Sequence, residues 1–436
     1  MFEDVDRVRQ CRAAIAAAAA RPLSAELGEV DLIDLIGGLE DLKSAAAALQ
    51  ARASTDLADR RVVAEAARGV PKAHRGRGLS GEIALARRES AHRGGRLLGL
   101  ARGLVDELPH TFARLSDGRL SEWRATLIAR ETACLSPDKR AAVDAELAAI
   151  GTDEWGDRKL VDQARKLVYR IDPQGFVDRA RKAEADRHVS IRPAPDTMAR
   201  LSALLPVPAG VACYASLKSA ADTALAAGDA RSRGQIMADE LIERLTGRAA
   251  ADDAVEVKLV LTDRALFAAD SEPAHLEGYG TVPAQWARDL VRRATSRKVG
   301  LWFRQLYTHP VTGALVGMSS RRRLAPRGLA DYIATRDQTC RTPWCDAQIR
   351  HTDHVWAAAA GGSTSDVNSQ GLCEACNYAK EAPGWRARSV PGPRHLVVTR
   401  TPTGHTYRST APPLPGHEHS SAEIYTHAES QHARSG

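Results

Sequence analysis

Four of the seven cysteines of this chain lie near its C-terminal end as Cys340-x4-Cys345 and Cys373-x2-Cys376. Two such knuckles close a tetrahedral thiolate cage of the kind that holds structural zinc, and a cage with four protein ligands leaves no open position for chemistry. Any chemistry must therefore come from the residues between and just after the knuckles. These are His351, the pair Asp353-His354, the loop Ala360-Gly361-Gly362-Ser363-Thr364, Asn368, and Asn377 and Lys380 behind the second knuckle. A carboxylate and an amide oxygen are hard donors that suit Mg2+ or Mn2+, and such an ion could clamp a phosphate. A histidine, which titrates near neutrality, can take a proton from an attacking water while a metal stabilises charge growing on phosphorus. On a strand, Asp353 and His354 project to opposite faces, so their spacing alone leaves their division of labour open. Asn377 and Lys380 are three apart in the first turns of an expected helix, on one face and beside its electropositive start, where a phosphate would be favoured. For His351 three roles stand side by side: support for a neighbouring ligand, a phosphate contact, or a solvent-facing ring.

Taken together, the Cys-x4-Cys knuckle, the Asp-His pair, the Gly-Gly loop, an Asn fourteen residues after the His and Cys-x2-Cys-Asn-x2-Lys resemble the HNH, or ββα-metal, endonuclease motif. The resemblance implies that Asp353 and Asn377 hold a catalytic divalent ion, that His354 is the general base, and that Asn368 pins the loop by hydrogen bonds to backbone. Trp356 and Ala357 depart from it, because a proline two residues after the His-hydrophobe pair is common. More widely, Gly278-Tyr279-Gly280, Val282-Pro283, residues 307–313, residues 336–345 and the stretch from Asn377 to Trp385 resemble the actinobacterial thirteen-E-twelve repeat family. In that family a long, mostly helical domain of unknown function precedes an HNH module, which implies a link to mobile or repeated elements.

The elements that must position these residues are legible in outline. To about residue 186 the chain is rich in Ala, Leu, Arg and Glu with apolar residues recurring at three and four positions, which predicts helices. The stripe Leu97, Leu98, Leu100, Ala101, Leu104 and Leu108 should stop before Pro109, and Ser121 is a candidate N-cap. The fragment 117–121 between two helices invites a helix-turn-helix reading, although a turn between packed helices looks the same. β-rich runs are expected at residues 188–192 and 255–262, in a hairpin of 300–307 with 314–318, and in another of 395–400 with 405–409. The predicted architecture is α+β: an N-terminal helical segment (1–29), a mostly helical domain with a few strands (30–320), a small zinc-stapled ββα-metal module (326–390), a hairpin (391–411) and a disordered tail (412–436) in which His417, His419, His427 and His432 are solvated.

The net charge of +7 conceals an asymmetry. Residues 280–410 carry 19 Lys and Arg against 8 Asp and Glu, a net +11, so the remainder is acidic. A basic C-terminal third fits a polyanion, with Arg321, Arg322, Arg323, Lys380 and His351 as candidate contacts to nucleic acid, double-stranded DNA being the expected form. The longest apolar run, Ala13 to Ala20, is too short to span a bilayer, and neither export nor an anchor is indicated. Clustered cysteines suit a reducing cytoplasm, where the scattered Cys11, Cys134 and Cys213 should be small buried residues. The expected activity is metal-dependent phosphodiester hydrolysis. The competing expectations are a catalytically inactive zinc-containing DNA-binding or recombination accessory protein and a zinc ribbon that only organises protein contacts. Sequence alone offers no oligomeric state, target sequence or choice between nicking and double-strand cleavage.

Overall fold

A computed structural model of the chain describes residues 3–247, 258–296, 306–309, 312–318 and 326–416. The N-terminal part is helical throughout: α1 (Glu3–Ala19), α2 (Glu29–Ala67), α3 (Leu79–Arg87), α4 (Ala91–Arg102), α5 (Pro109–Ser116), α6 (Glu122–Glu131), α7 (Pro137–Ile150), α8 (Asp157–Ile171) and α9 (Pro173–Ala185). Strands then alternate with helices: β1 (His188–Ala194), β2 (Met198–Leu204), α10 (Val207–Ala226), α11 (Arg233–Thr246), β3 (Leu259–Val260), α12 (Asp263–Phe267), β4 (Ala274–Leu276), β5 (Gly280–Val282), α13 (Ala284–Ser296), β6 (Leu306–Thr308) and β7 (Leu315–Met318). The C-terminal elements are α14 (Pro326–Asp337), β8 (His351–His354), β9 (Ser369–Leu372), α15 (Glu374–Lys380), β10 (Arg386–Val390), β11 (Leu396–Arg400) and β12 (Thr406–Thr410). The class is α+β, mostly helical, with small antiparallel sheets.

Two compact units share the chain: Met1–Gly69 with Arg96–Asp178, and Val70–Gly95 with the residues from Arg179 onward. The first is all helical. Leu104, Leu108, Leu115, Ile128, Leu147, Leu160 and Val168 fill its core. Pro109, which has no amide proton to lose, starts α5 after a π turn, and the buried Asp144 carboxylate accepts from the amides of His110 (2.7 Å) and Thr111 (3.1 Å) at that start. Ser121 caps α6 by accepting from the Arg124 amide. Helix α1 buries no residue.

The second unit differs from the expected partition, because Val70–Gly95 belongs to it rather than to the helical domain. Helix α3 packs on α15. Close approach requires glycine: Gly78 has φ +79, and a Cβ there would lie 2.6 Å from both the Ala382 Cβ and the Trp385 Nε1. A Cβ on Gly81 would lie 2.9 Å from that of Ala379. Glu82, buried on α3, accepts from the Thr403 amide at 3.0 Å.

Several expectations need correction. Cys11 and Cys213 are exposed on α1 and α10, and Cys134 is half-buried in the turn after α6. Order extends past residue 412: Leu414 is buried and its amide donates to Gly313 O, while the Gly416 amide donates to Glu272. Arg321, Arg322, Arg323 and the four tail histidines lie outside the described residues, as does most of the expected 300–307 run. Strands β8, β9 and β10, which alternation did not announce, carry or flank the site.

Candidate functional site

The thiols of Cys340, Cys345, Cys373 and Cys376 are buried and converge with their sulfur atoms within 4.8 Å of one another. Backbone turns aim them. The Cys340 amide donates to Ala347 O, the Cys345 amide to Thr342 O, and Trp344 takes a left-handed φ of 61° between them. Cys373 is the N-cap of α15, its sulfur accepting from the Cys376 amide at 3.5 Å. The Cys345 and Cys373 sulfurs are 3.7 Å apart, against an edge of about 3.8 Å for a tetrahedron built on Zn–S bonds of about 2.3 Å. Hydrogen bonds from Cys340, then Cys345 and Cys376, hold the Cys373 thiol well below its usual range, while Cys340, then Cys345 and Cys373, push Cys376 up. Four soft donors in this arrangement could hold a structural metal such as zinc.

A buried ion cluster ties the cysteine knuckle to the strands. Asp337, fully buried, accepts from Arg336 (2.7 Å), Arg341 (3.1 Å) and the Gly371 amide (2.8 Å). Arg336 also donates to Asp366 O and Ser369 O, which brackets the start of β9. Strands β8 and β9 pair with Asp353 opposite Gln370 and His354 opposite Ser369. Neighbours on β8 thus point to opposite faces, Asp353 to α15 and His354 to the loop.

On the α15 side, Lys380 Nζ stands 2.7 Å from Asp353 Oδ2, donates to His354 O at 2.8 Å, and meets Glu381 at 2.9 Å. The Lys380–Asp353 contact is an ion pair without directed hydrogen-bond geometry. Asp353 Oδ2 and Asn377 Oδ1 are buried atoms that accept no hydrogen bond. Lys380, expected at the nucleic-acid surface, is instead 10% exposed and committed to these internal partners, because a partly buried carboxylate needs a compensating cation.

On the loop side, His354 Nε2 is 2.9 Å from Thr364 Oγ1. Asn368 Nδ2 donates to Ser363 O (2.8 Å) and Trp356 O (3.1 Å), and its Oδ1 accepts from the Trp356 amide (2.9 Å). Its side chain is spent on backbone and is no metal donor. Gly362 allows this closure, since a Cβ there would fall 1.9 Å from Trp356 O. The ring of His351 is tilted toward that of Tyr378, centroids 6.4 Å apart. Sequence reasoning named Thr364 only as a member of the loop and gave it no role, and it missed the Arg336-Asp337-Arg341 cluster, whose charges give no sign of burial.

The β8–β9 hairpin and helix α15 thus meet at the four-cysteine cluster. The chain belongs to the family described as Domain of unknown function (DUF222), whose model matches residues 37–337. The match ends before Cys340, so the four clustered cysteines, Asp353, His354 and Asn377 all lie beyond it. No curated protein and no solved structure matches the chain. Among the described residues, no helix is long and apolar enough to cross a membrane.

Proposed function

We propose that this chain is an HNH endonuclease that hydrolyses phosphodiester bonds in double-stranded DNA. The observation that carries the reading is Asn377 Oδ1, a buried oxygen without a hydrogen-bond donor, on the helix that the cysteine cluster joins to the strand of Asp353, whose buried Oδ2 meets the Lys380 ammonium. A buried acceptor with no partner is costly unless something absent from the chain satisfies it. Asp353 and Asn377 would hold a divalent cation such as Mg2+ or Mn2+, which when bound would offset charge on the reacting phosphate. The family is also one often found with HNH domains.

His354 takes the proton from the attacking water. Thr364 orients its ring through Nε2, and Asn368 holds the loop that carries Thr364. Lys380 balances Asp353 and ties α15 to β8. The cysteine cluster, loaded with zinc, fixes the start of α15 and takes no part in the reaction.

The Lys380–Asp353 pair favours one other reading, a zinc-bearing DNA-binding protein that does not cut, with lysine in place of catalytic metal. Supercoiled plasmid with Mg2+ separates the two. The nuclease reading expects relaxed or linear product from the wild-type chain and cleavage about 10²- to 10⁴-fold slower from His354→Ala with equal zinc content. Intact plasmid with both proteins would establish the non-cutting reading.

A further inference from the structure

The sheet formed by β10, β11 and β12 has two unlike faces. Ala387 and Val397 point inward and pack with Val355, the residue after His354. On the other face Arg386 stands directly opposite Arg400, and Val398 lies between Arg388 and Arg408 in the register of the three strands. All four arginines are exposed, and among the described residues none has an acidic partner. Some exposed arginines of the same unit are paired, Arg231 with Asp229 and Asp239, and Arg233 with Asp222, whereas Arg192 and Arg200 face each other on β1 and β2 with no acidic partner among the described residues, so what distinguishes the β10–β12 face is four such arginines on one sheet. Like charges placed directly across a ladder destabilise it, as Arg386 and Arg400 are, and a polyanion laid on the face would offset all four arginines.

We infer that the Arg386, Arg388, Arg400 and Arg408 face is a phosphate-binding surface for double-stranded DNA, outside the cleavage centre. This rests on the proposed nuclease reading for the identity of the polyanion. The residues sharing the face, Val390, Leu396, Val398, Thr406 and Thr410, include no aromatic side chain, so it offers no platform on which single-stranded bases could stack. Alternate residues on a strand are about 6.8 Å apart and neighbouring strands about 4.8 Å, so the guanidinium groups span several phosphates of a backbone that advances about 3.4 Å per nucleotide. Because the face turns away from Val355, it anchors duplex flanking the cut and does not meet the scissile bond.

The test measures anisotropy of a labelled 30-base-pair duplex against salt, without added divalent ion so that no cleavage is needed. Replacing all four arginines with alanine should flatten the plot of log affinity against log salt by about 3 to 4, since each phosphate contact contributes about 0.9. The arginine-to-lysine quadruple variant should keep the slope, and the alanine variant should keep its zinc and melt no lower than wild type. An Arg388→Ala, Arg408→Ala double variant should lose about half the effect. An unchanged slope in a folded alanine variant overturns the inference even if the chain cuts DNA. Stronger competition by single-stranded DNA or duplex RNA than by duplex DNA overturns the ligand assignment. A normal slope change with no cleavage would instead remove the nuclease reading and leave this surface standing.

Discussion

Lys380 joins two consecutive residues of β8, its ammonium 2.7 Å from the Asp353 carboxylate and 2.8 Å from the His354 carbonyl oxygen. One cation thus sits where a metal bound by Asp353 would also draw its charge compensation. Lys380→Met should leave Asp353 short of positive charge and cost about 1–3 kcal/mol of stability in metal-free buffer. Mg2+ should restore much of that loss, because a ligand bound only by the folded state stabilises it. Calorimetric melting with and without Mg2+ checks this, and equal shifts in wild type and variant would show that Lys380 and metal do not compete.

His354→Ala should lower cleavage about 10²- to 10⁴-fold with zinc and DNA binding retained, the usual contribution of a general base. Asp353→Ala and Asn377→Ala should behave differently. Each removes an oxygen donor, so raising Mg2+ or substituting Mn2+ should recover part of their activity but none of the His354→Ala loss. Cleavage rates across a metal titration decide it, and metal rescue of His354→Ala alone would mean that base and ligand are exchanged.

Cys340→Ser or Cys376→Ser should each release about one zinc per chain and expose α15 to rapid amide exchange, since a missing thiolate opens the cage. Metal analysis beside exchange of residues 374–380 reads both. Full zinc retention in both variants would remove the four-cysteine assignment.

The cysteine knuckles, the Asp-His pair and the Gly-Gly loop were legible because metal and loop chemistry confine residue type and spacing to a few positions. Ser121, Pro109 and the 405–409 strand were legible for a similar reason, each resting on local hydrogen-bond chemistry. The membership of α3 in the second unit was not, because Gly78 and Gly81 report a close approach without naming the partner almost 300 residues away. Lys380 was misplaced for a related reason: spacing puts it on the face of Asn377 but cannot weigh a phosphate against Asp353.

That hidden contact makes its own prediction. Gly78→Ala adds a Cβ 2.6 Å from the Ala382 Cβ at a left-handed position, so overpacking of about 1–3 kcal/mol combines with backbone strain of about 1–2 kcal/mol. Amide exchange in α15 should accelerate while the exchange of α6 and α8 in the first unit stays unchanged. Uniform acceleration in both units, or none, would refute the coupling of α3 to the site.

His395 gives the second unit a pH dependence. Burial lowers its pKa from the ordinary 6.5 to about 4, aided by the positive charge of Arg336, and its Nε2 faces Val367 O at 2.9 Å while Nδ1 is buried without a partner. The folded state therefore keeps the ring neutral where the unfolded chain has already taken a proton. Below pH 6.5 the unfolded state binds more protons, so this stabilisation is complete above about pH 6.5 and is lost as pH falls toward 4. The slope in that window is at most about 1.4 kcal/mol per pH unit, and less to the extent that solvent reaches the ring. Amide exchange of β11, measured at matched pH for wild type and His395→Gln, isolates the effect because intrinsic exchange cancels in the ratio. The ratio should change between pH 6.5 and 4 and be flat above 7, and a ratio constant across the whole range would show that the ring titrates alike in both states.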